Sequence, residues 1–251
     1  GVIGHYSSGT TLAAAEVYEA GQLPMISPTS TAVDISSAGD YIFRTVPSDR
    51  LAAATLSRYV LGELNENKAV VFYTEESAYS KSVKSEFTTE LLSNGGEVVA
   101  NFDVSASGFD ERQALAEAKE NGATVLMLAL NTATIDIAND VIRENAQDLP
   151  MVGGDSLYNP IILKDSEADA LGLVVAVPWH ILSHVQTPFV AESRQLWGGD
   201  VNWRTATAYD AVKALAAGLE DDQSREGLAT ALAGSGLTVE GATDAIRFLP
   251  T

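Results

Sequence analysis

The sequence predicts an α/β chain made of two doubly wound parallel-sheet lobes joined by a hinge, with the first lobe incomplete. Three observations predict it. Runs such as "KAVVFYT" and "ATVLMLAL" are apolar throughout rather than alternating, as in strands buried on both faces of a parallel sheet. Amphipathic helical stretches separate those runs in a regular βα rhythm. That rhythm is complete over residues 49–177 and only partial in the segments on either side.

Taken in order, the chain opens with the strand "GVIGH", the helix "TLAAAEVYEAG", the strand "LPMISP" and the strand "YIFRTV". These are too few strands for a stable sheet of their own. From Lys68 the elements are the strand "KAVVFYT", then the helix "YSKSVKSEFTTELLSNGG" closed by glycines, then the strand "GEVVANFDV". The helix "DERQALAEAKENG", the strand "ATVLMLAL", the helix "IDIANDVIREN" and the strand "LPMVGGD" follow. A short helical stretch from Ser156 and the strand "LGLVVAVP" complete this second lobe. Beyond Pro178 come the helices "TATAYDAVKALAAGLEDD" and "LATALAGSG" and a strand-like terminal run, "GATDAIRFLP". The economical arrangement places residues 1–48 and 178–251 in one lobe. The chain then crosses between lobes near Thr45–Asp49 and Val177–His180, and these crossings form the hinge.

Composition narrows the function. Asp and Glu total 34 against 15 Lys and Arg, a formal charge of -19, and no basic cluster interrupts it. Such a chain repels phosphate backbones, so nucleic acid is not an expected partner. There is no cysteine, hence no disulfide and no thiolate metal site. No apolar run approaches the roughly 20 residues of a membrane span, so stable membrane insertion is not expected. No signal peptide is contained in the chain, and its abrupt opening inside a strand-like run suggests that a leader lies outside it.

The polar patches "SSGTT" and "SPTST" follow the first two strands. In parallel α/β sheets ligands bind beyond the carboxyl ends of strands, and helix starts offer unpaired N–H groups to a small anion. The same hydroxyls also serve as helix caps, and both roles remain open. In the second lobe Asp155 ends the strand "LPMVGGD", where it can hold an ammonium or cap the next turn. Tyr79 follows "VVFYT" as either an aromatic wall or an edge-of-core residue. Anion donors on one lobe and a carboxylate on the other describe a clamp for a zwitterion, hence an α-amino acid.

The segments "GHYSSGTT…LPMISPTST…YIFRTVPSD", "ESAYS", "VGGDS", "LVVAVPW" and "TATAYDAVKAL" resemble the type I periplasmic amino-acid-binding proteins of ABC transporters, in the leucine/isoleucine/valine-binding branch. The resemblance covers nearly the whole chain. It implies two lobes that close on a ligand, no enzymatic activity, no cofactor, a monomer, a periplasmic or extracellular location and a permease as partner. It also implies roles. Ser8 would offer its hydroxyl and N–H to the ligand carboxylate, while Thr29 and Thr31 would hold ammonium and carboxylate. Tyr79 would cover the ligand, Asp155 would pair with the ammonium, and Tyr6 and Ser7 would line the side-chain pocket. Asn131 stands where branched-chain binders commonly carry an aromatic residue. Trp203 and Arg204 fall where an apolar contact is expected, which opens the pocket to polar or acidic amino acids. Against the family pattern the chain looks truncated at both ends.

Other chemistry finds little support. No nucleophile elbow, phosphate-binding loop or zincin motif is present. His180 and His184 have a helical i,i+4 spacing, but Pro188 and "VPWH" argue against a helix carrying a metal pair. Arg44 in "FRT" is expected to be structural. The alternatives are a ligand-sensing extracellular domain of a signalling receptor, a binder of a related small amide or carboxylate, and an enzyme on a doubly wound scaffold.

Overall fold

The computed structural model describes residues 1–242 and 244–249. Thr243 and Pro250, which belong to the expected terminal strand, lie outside the described residues. The chain divides into two compact units, one of Gly1–Ser48 with Pro178–Thr251 and one of Asp49–Val177.

Unit one opens with β1 (Val2–Ile3), α1 (Ser8–Ala20), β2 (Met25–Ser27) and β3 (Ile42–Arg44). Unit two contains α2 (Asp49–Arg58), β4 (Lys68–Tyr73), α3 (Ala78–Ser93), β5 (Glu97–Asp103), α4 (Glu111–Glu120) and β6 (Val125–Ala129). It continues with α5 (Ile135–Asn145), β7 (Met151–Gly153), α6 (Pro160–Asp165) and β8 (Val174–Val175). Unit one then resumes with α7 (Pro188–Trp197), α8 (Trp203–Gly218), α9 (Arg225–Ala233), β9 (Val239–Glu240) and β10 (Ala245–Ile246).

Unit two is a five-stranded parallel sheet in the order β5-β4-β6-β7-β8. Alternate residues of its central strands enter different cores. Val70, Phe72, Leu126 and Leu128 pack with Leu115 of α4 and Val141 and Ile142 of α5. Ala69, Val71, Val125 and Met127 pack with Leu56 of α2 and Val83 and Phe87 of α3. Both faces are therefore covered, which is why these strands carry no polar alternation. Local signals fix the helix starts: Ser77 and Asp110 accept backbone N–H bonds from Ser80 and Gln113 as caps of α3 and α4.

Unit one holds a three-stranded parallel sheet in the order β1-β2-β3. Met25 packs on one face with Ala15 of α1 and Ile35, while Ile26 packs on the other with Ala211 and Ala214 of α8 and Leu228 of α9. The early strands thus complete their core with helices from the far end of the sequence.

Several elements are shorter than their apolar runs predict. "LGLVVAVP" contributes only β8, an edge strand bonded to β7 alone, and Pro178 at its end lacks an N–H to extend the ladder. The terminal run "GATDAIRFLP" supplies only β10, paired antiparallel with β9 and outside the parallel sheet. Several helices start earlier than predicted, among them α1 at Ser8 rather than Thr11, α8 at Trp203 rather than Thr205 and α9 at Arg225 rather than Leu228. Ser7 and Asn202 are the caps that move the first two of those starts. No helix among the described residues is long and apolar enough to cross a membrane.

Candidate functional site

In unit one the two polar patches follow β1 and β2 and are knitted together. Ser7 caps α1, its Oγ accepting from Thr10 N at 3.3 Å. Ser8 is the first helical residue and is 2% exposed. Its Oγ accepts the Ala32 N–H at 3.2 Å, tying the helix to the second patch while the hydroxyl keeps its own proton to donate. The N–H groups of the first helical turn have no partner within the helix itself.

The carbonyl of His5 is the centre of the knot. Hydroxyls of Ser27, Ser30, Thr11 and Thr29 approach it at 3.2, 3.1, 3.3 and 3.3 Å. Thr29 Oγ1 lies closer to the Tyr6 carbonyl, at 2.7 Å. Thr11 Oγ1 also accepts from His5 N at 3.1 Å and meets Ser30 Oγ at 2.7 Å. Most hydroxyls of the two patches are thus engaged within the protein. Thr31 differs: it is 3% exposed, and its Oγ1 has no hydrogen-bond partner among the described residues. A buried hydroxyl left in that state costs on the order of 1–3 kcal/mol. Arg44 braces the same segment, donating through Nη1 to the carbonyls of Thr31 at 3.2 Å and Ala32 at 3.0 Å and through Nη2 to Ser36 Oγ.

Tyr6 is 57% exposed, and its ring lies 5.9 Å from the Arg204 guanidinium. Arg204 stands in the first turn of α8, 4.4 Å from the ring of its buried neighbour Trp203, with Asn202 Oδ1 accepting its backbone N–H at 2.9 Å.

Unit two gathers its polar groups at the carboxyl ends of β4, β6 and β7, the edge at which parallel sheets bind ligands. Asp155 begins a single 3-10 turn, Asp155–Leu157, just after β7 and is 5% exposed. Tyr79, in the first turn of α3, is 7% exposed and packed in the core beside Val83 and Phe87. Its Oη accepts from Ser156 N at 3.3 Å. Burial first, then the carboxylates of Asp155 and Asp49, raise the Tyr79 phenol well above 10.0, so it stays protonated. A Cβ on Gly154 would fall 2.2 Å from Tyr79 Oη. Glycine there is a consequence of the tyrosine's close approach to the backbone. Asn131 follows β6 and caps the turn Thr132–Thr134, its Oδ1 accepting from Thr134 N at 3.1 Å.

The structure therefore gathers Tyr6, Ser7, Ser8, Thr29 and Thr31 in unit one, and Tyr79 with Asp155 in unit two. Asn131 sits on a neighbouring strand end of unit two. Thr11, Ser27 and Ser30 belong to the polar patches that the sequence singles out, but their supporting role around His5 and the packing of Gly154 against Tyr79 appear only in the structure. His180 and His184 flank a single 3-10 turn, Ile181–Ser183, rather than lying on one α-helix. His180 Nδ1 accepts from Leu182 N at 3.3 Å, and His184 Nδ1 lies 2.9 Å from His180 O, so both imidazoles serve a 3-10 turn. Among the described residues no group of three or more His, Asp or Glu side chains is placed to hold a metal ion.

All of residues 1–251 match the sequence pattern of the family described as Periplasmic binding protein (Peripla_BP_6). The chain belongs to that family, a family of binding proteins rather than enzymes. The Leu/Ile/Val-binding protein BraC3 of Rhizobium johnstonii is 23% identical over 235 residues, 92% of this chain and 64% of that protein. The leucine-binding protein LivK of Thermotoga maritima superimposes with a TM-score of 0.87 at 21% identity, over 98% of this chain and 71% of that one. An ABC transporter substrate-binding protein of Desulfitobacterium hafniense, solved in complex with Leu, gives 0.79 at 27% identity, over 99% and 72% of the two chains. The α/β units and their parallel sheets are those of the type I periplasmic binding fold. The chain spans from 43% to 64% of the length of the curated relatives it matches.

Proposed function

We propose that this chain captures an amino acid outside the cytoplasm, in the periplasm or at the cell exterior, and presents it to the permease of an ABC transporter. Each unit supplies part of the recognition. In unit one the Ser8 N–H and hydroxyl and the Thr31 hydroxyl take the ligand carboxylate, with Thr29 and Thr31 backbone groups completing the contact. Tyr6 and Ser7 border the ligand side chain. In unit two Asp155 takes the ammonium, supported by Tyr79 through the Ser156 N–H, with Asn131 on the adjoining strand end. No residue acts as nucleophile or base. Binding works by population shift: the ligand engages one unit first and favours the closed form in which the other engages too.

The observation that carries this reading is Thr31 Oγ1, buried and without a hydrogen-bond partner among the described residues, in a segment that Arg44 holds in place. A protein seldom keeps such a donor unless something else is to use it. The relatives named for leucine, isoleucine and valine support an amino acid as the ligand class.

The test is calorimetry of the full-length protein against the proteinogenic amino acids, repeated with Asp155→Ala and Thr31→Val. Removing one partner of a desolvated ion pair costs about 3–5 kcal/mol, so Asp155→Ala is expected to weaken binding by two orders of magnitude or more. Circular dichroism should stay unchanged. Wild-type affinity in the Asp155 variant would remove that carboxylate from the site.

A further inference from the structure

Asn131 stands just beyond β6, between Thr74 at the end of β4 and Asp155 just after β7. Its side-chain oxygen is committed inside unit two. Oδ1 accepts from Thr134 N at 3.1 Å and lies 3.2 Å from Thr134 Oγ1, which is in turn 3.3 Å from Thr74 Oγ1. A backbone N–H only donates, so the atom it meets is the amide oxygen, and the reverse placement would set donor against donor. Nδ2 is therefore the branch of the amide turned away from the Thr132–Thr134 turn, and it makes no hydrogen bond among the described residues. The residue is half-buried, which leaves those two N–H donors within reach of a bound molecule. Because Thr134 already holds the oxygen, binding does not have to order this side chain. A hydroxyl, an amide carbonyl or a carboxylate can accept from Nδ2. A purely aliphatic group seated there would strip water from the donors and return no hydrogen bond.

We propose that Asn131 determines specificity: its Nδ2 donates to an acceptor on the ligand side chain, so that the captured molecule is a polar α-amino acid rather than a branched aliphatic one. This rests on the amino-acid reading above and adds the chemistry of the side chain. Asp155, on the adjoining strand end, takes the ammonium, and Asn131 reads what the side chain carries. The chain of hydroxyls from the buried Thr74 through Thr134 is the device that fixes which end of the amide faces the ligand.

The experiment is calorimetry of the full-length protein against the proteinogenic amino acids, repeated with Asn131→Asp and Asn131→Ser. Two comparisons isolate the acceptor at constant shape: L-threonine against L-valine, and L-asparagine and L-aspartate against L-leucine. The tightest wild-type ligand is expected to carry a side-chain acceptor and to bind at least about tenfold more tightly than valine or leucine. Asn131→Asp keeps an oxygen to cap the turn but puts a second oxygen where the donor was. Asn131→Ser caps without adding a charge and lacks the amide's reach. Asn, Asp and Ser cap about equally well, so the melting temperature without ligand should stay that of the wild type. Both variants should shrink the polar preference to about threefold or less. A tightest ligand with no side-chain acceptor, or a polar preference that survives in both variants, would overturn this inference and leave the amino-acid reading standing. Binding of no amino acid at all would overturn both.

Discussion

Gly154→Ala offers a sharp test of how the second unit holds its acidic turn. A methyl at this position would sit 2.2 Å from Tyr79 Oη, 3.3 Å from Tyr79 Cζ and 3.7 Å from Val83 Cγ1. The first distance is about 1 Å or more short of van der Waals contact, whereas the other two need little or no adjustment. Tyr79 cannot swing clear, because its ring is buried with Val83 and Phe87. Either the ring or the turn must move, and the bond from Ser156 N to Tyr79 Oη is lost with it. Overpacking of this kind costs about 1–3 kcal/mol, and the lost hydrogen bond adds about 1 kcal/mol. Tyr79→Phe alone should cost about 1 kcal/mol. The double variant should then fall at least about 1 kcal/mol short of the sum, because removing the hydroxyl removes the clash. Urea unfolding followed by far-UV circular dichroism measures all four corners of this cycle. The three tryptophans, Trp179, Trp197 and Trp203, all belong to unit one, so their fluorescence serves as the control that should move least. Additive costs, agreeing within about 0.5 kcal/mol, would show that the hydroxyl and the Gly154 backbone do not constrain each other.

Two further outcomes follow from the packing of unit one. Thr11→Val keeps the shape of a fully buried side chain but deprives His5 N and Ser30 Oγ of their shared partner, so it should destabilise by about 1–3 kcal/mol in urea titration. Thr11→Ser should recover most of that loss, and a neutral Thr11→Val would mean that the knot around His5 contributes nothing. Asp210, in α8, accepts the Ala242 N–H at 2.6 Å, but burial raises its pKa above the ordinary 3.8. At pH below 3.8 both folded and unfolded chains carry the proton. As pH climbs from there through the raised value, the unfolded chain ionises first and stability falls, and the deficit persists above that window. Asp210→Asn should therefore be more stable than wild type at pH 7 and lose its advantage near pH 3.5. A constant difference at both pH values would refute the burial argument.

Much of the architecture was legible in the sequence because burial on both sheet faces leaves strands such as Val125–Ala129 with no polar residue. Strand ends were less legible. An apolar run continues past the last ladder bond whenever the loop is also covered, as at Leu130, or when the strand lies at an edge, as at Val174–Val175. The site was legible as residue types at the carboxyl ends of strands, but the division of labour among the hydroxyls was not. Ser27 and Ser30 look no different in sequence from Thr31, yet the first two bond to His5 O while Thr31 Oγ1 has no such partner among the described residues. Only the three-dimensional position of the His5 carbonyl separates them. The Arg204–Tyr6 contact was hidden for a similar reason. It joins residues almost two hundred positions apart, through a helix whose start Asn202 moves to Trp203.

The sharing of one core between Ile26 and the residues Ala211, Ala214 and Leu228 has a consequence for how the polypeptide matures. During synthesis, the stretch from Asp49 to Val177 has all its partners in hand and can collapse as soon as it has emerged. The opening strands must wait, with the apolar side of Ile26 uncovered, until α8 and α9 arrive more than 170 residues later. Contacts so distant along the chain form slowly, because the loop between them must close first. The core around Ile26 therefore closes late on a nascent chain, and until then the uncovered apolar face of the early strands is open to aggregation.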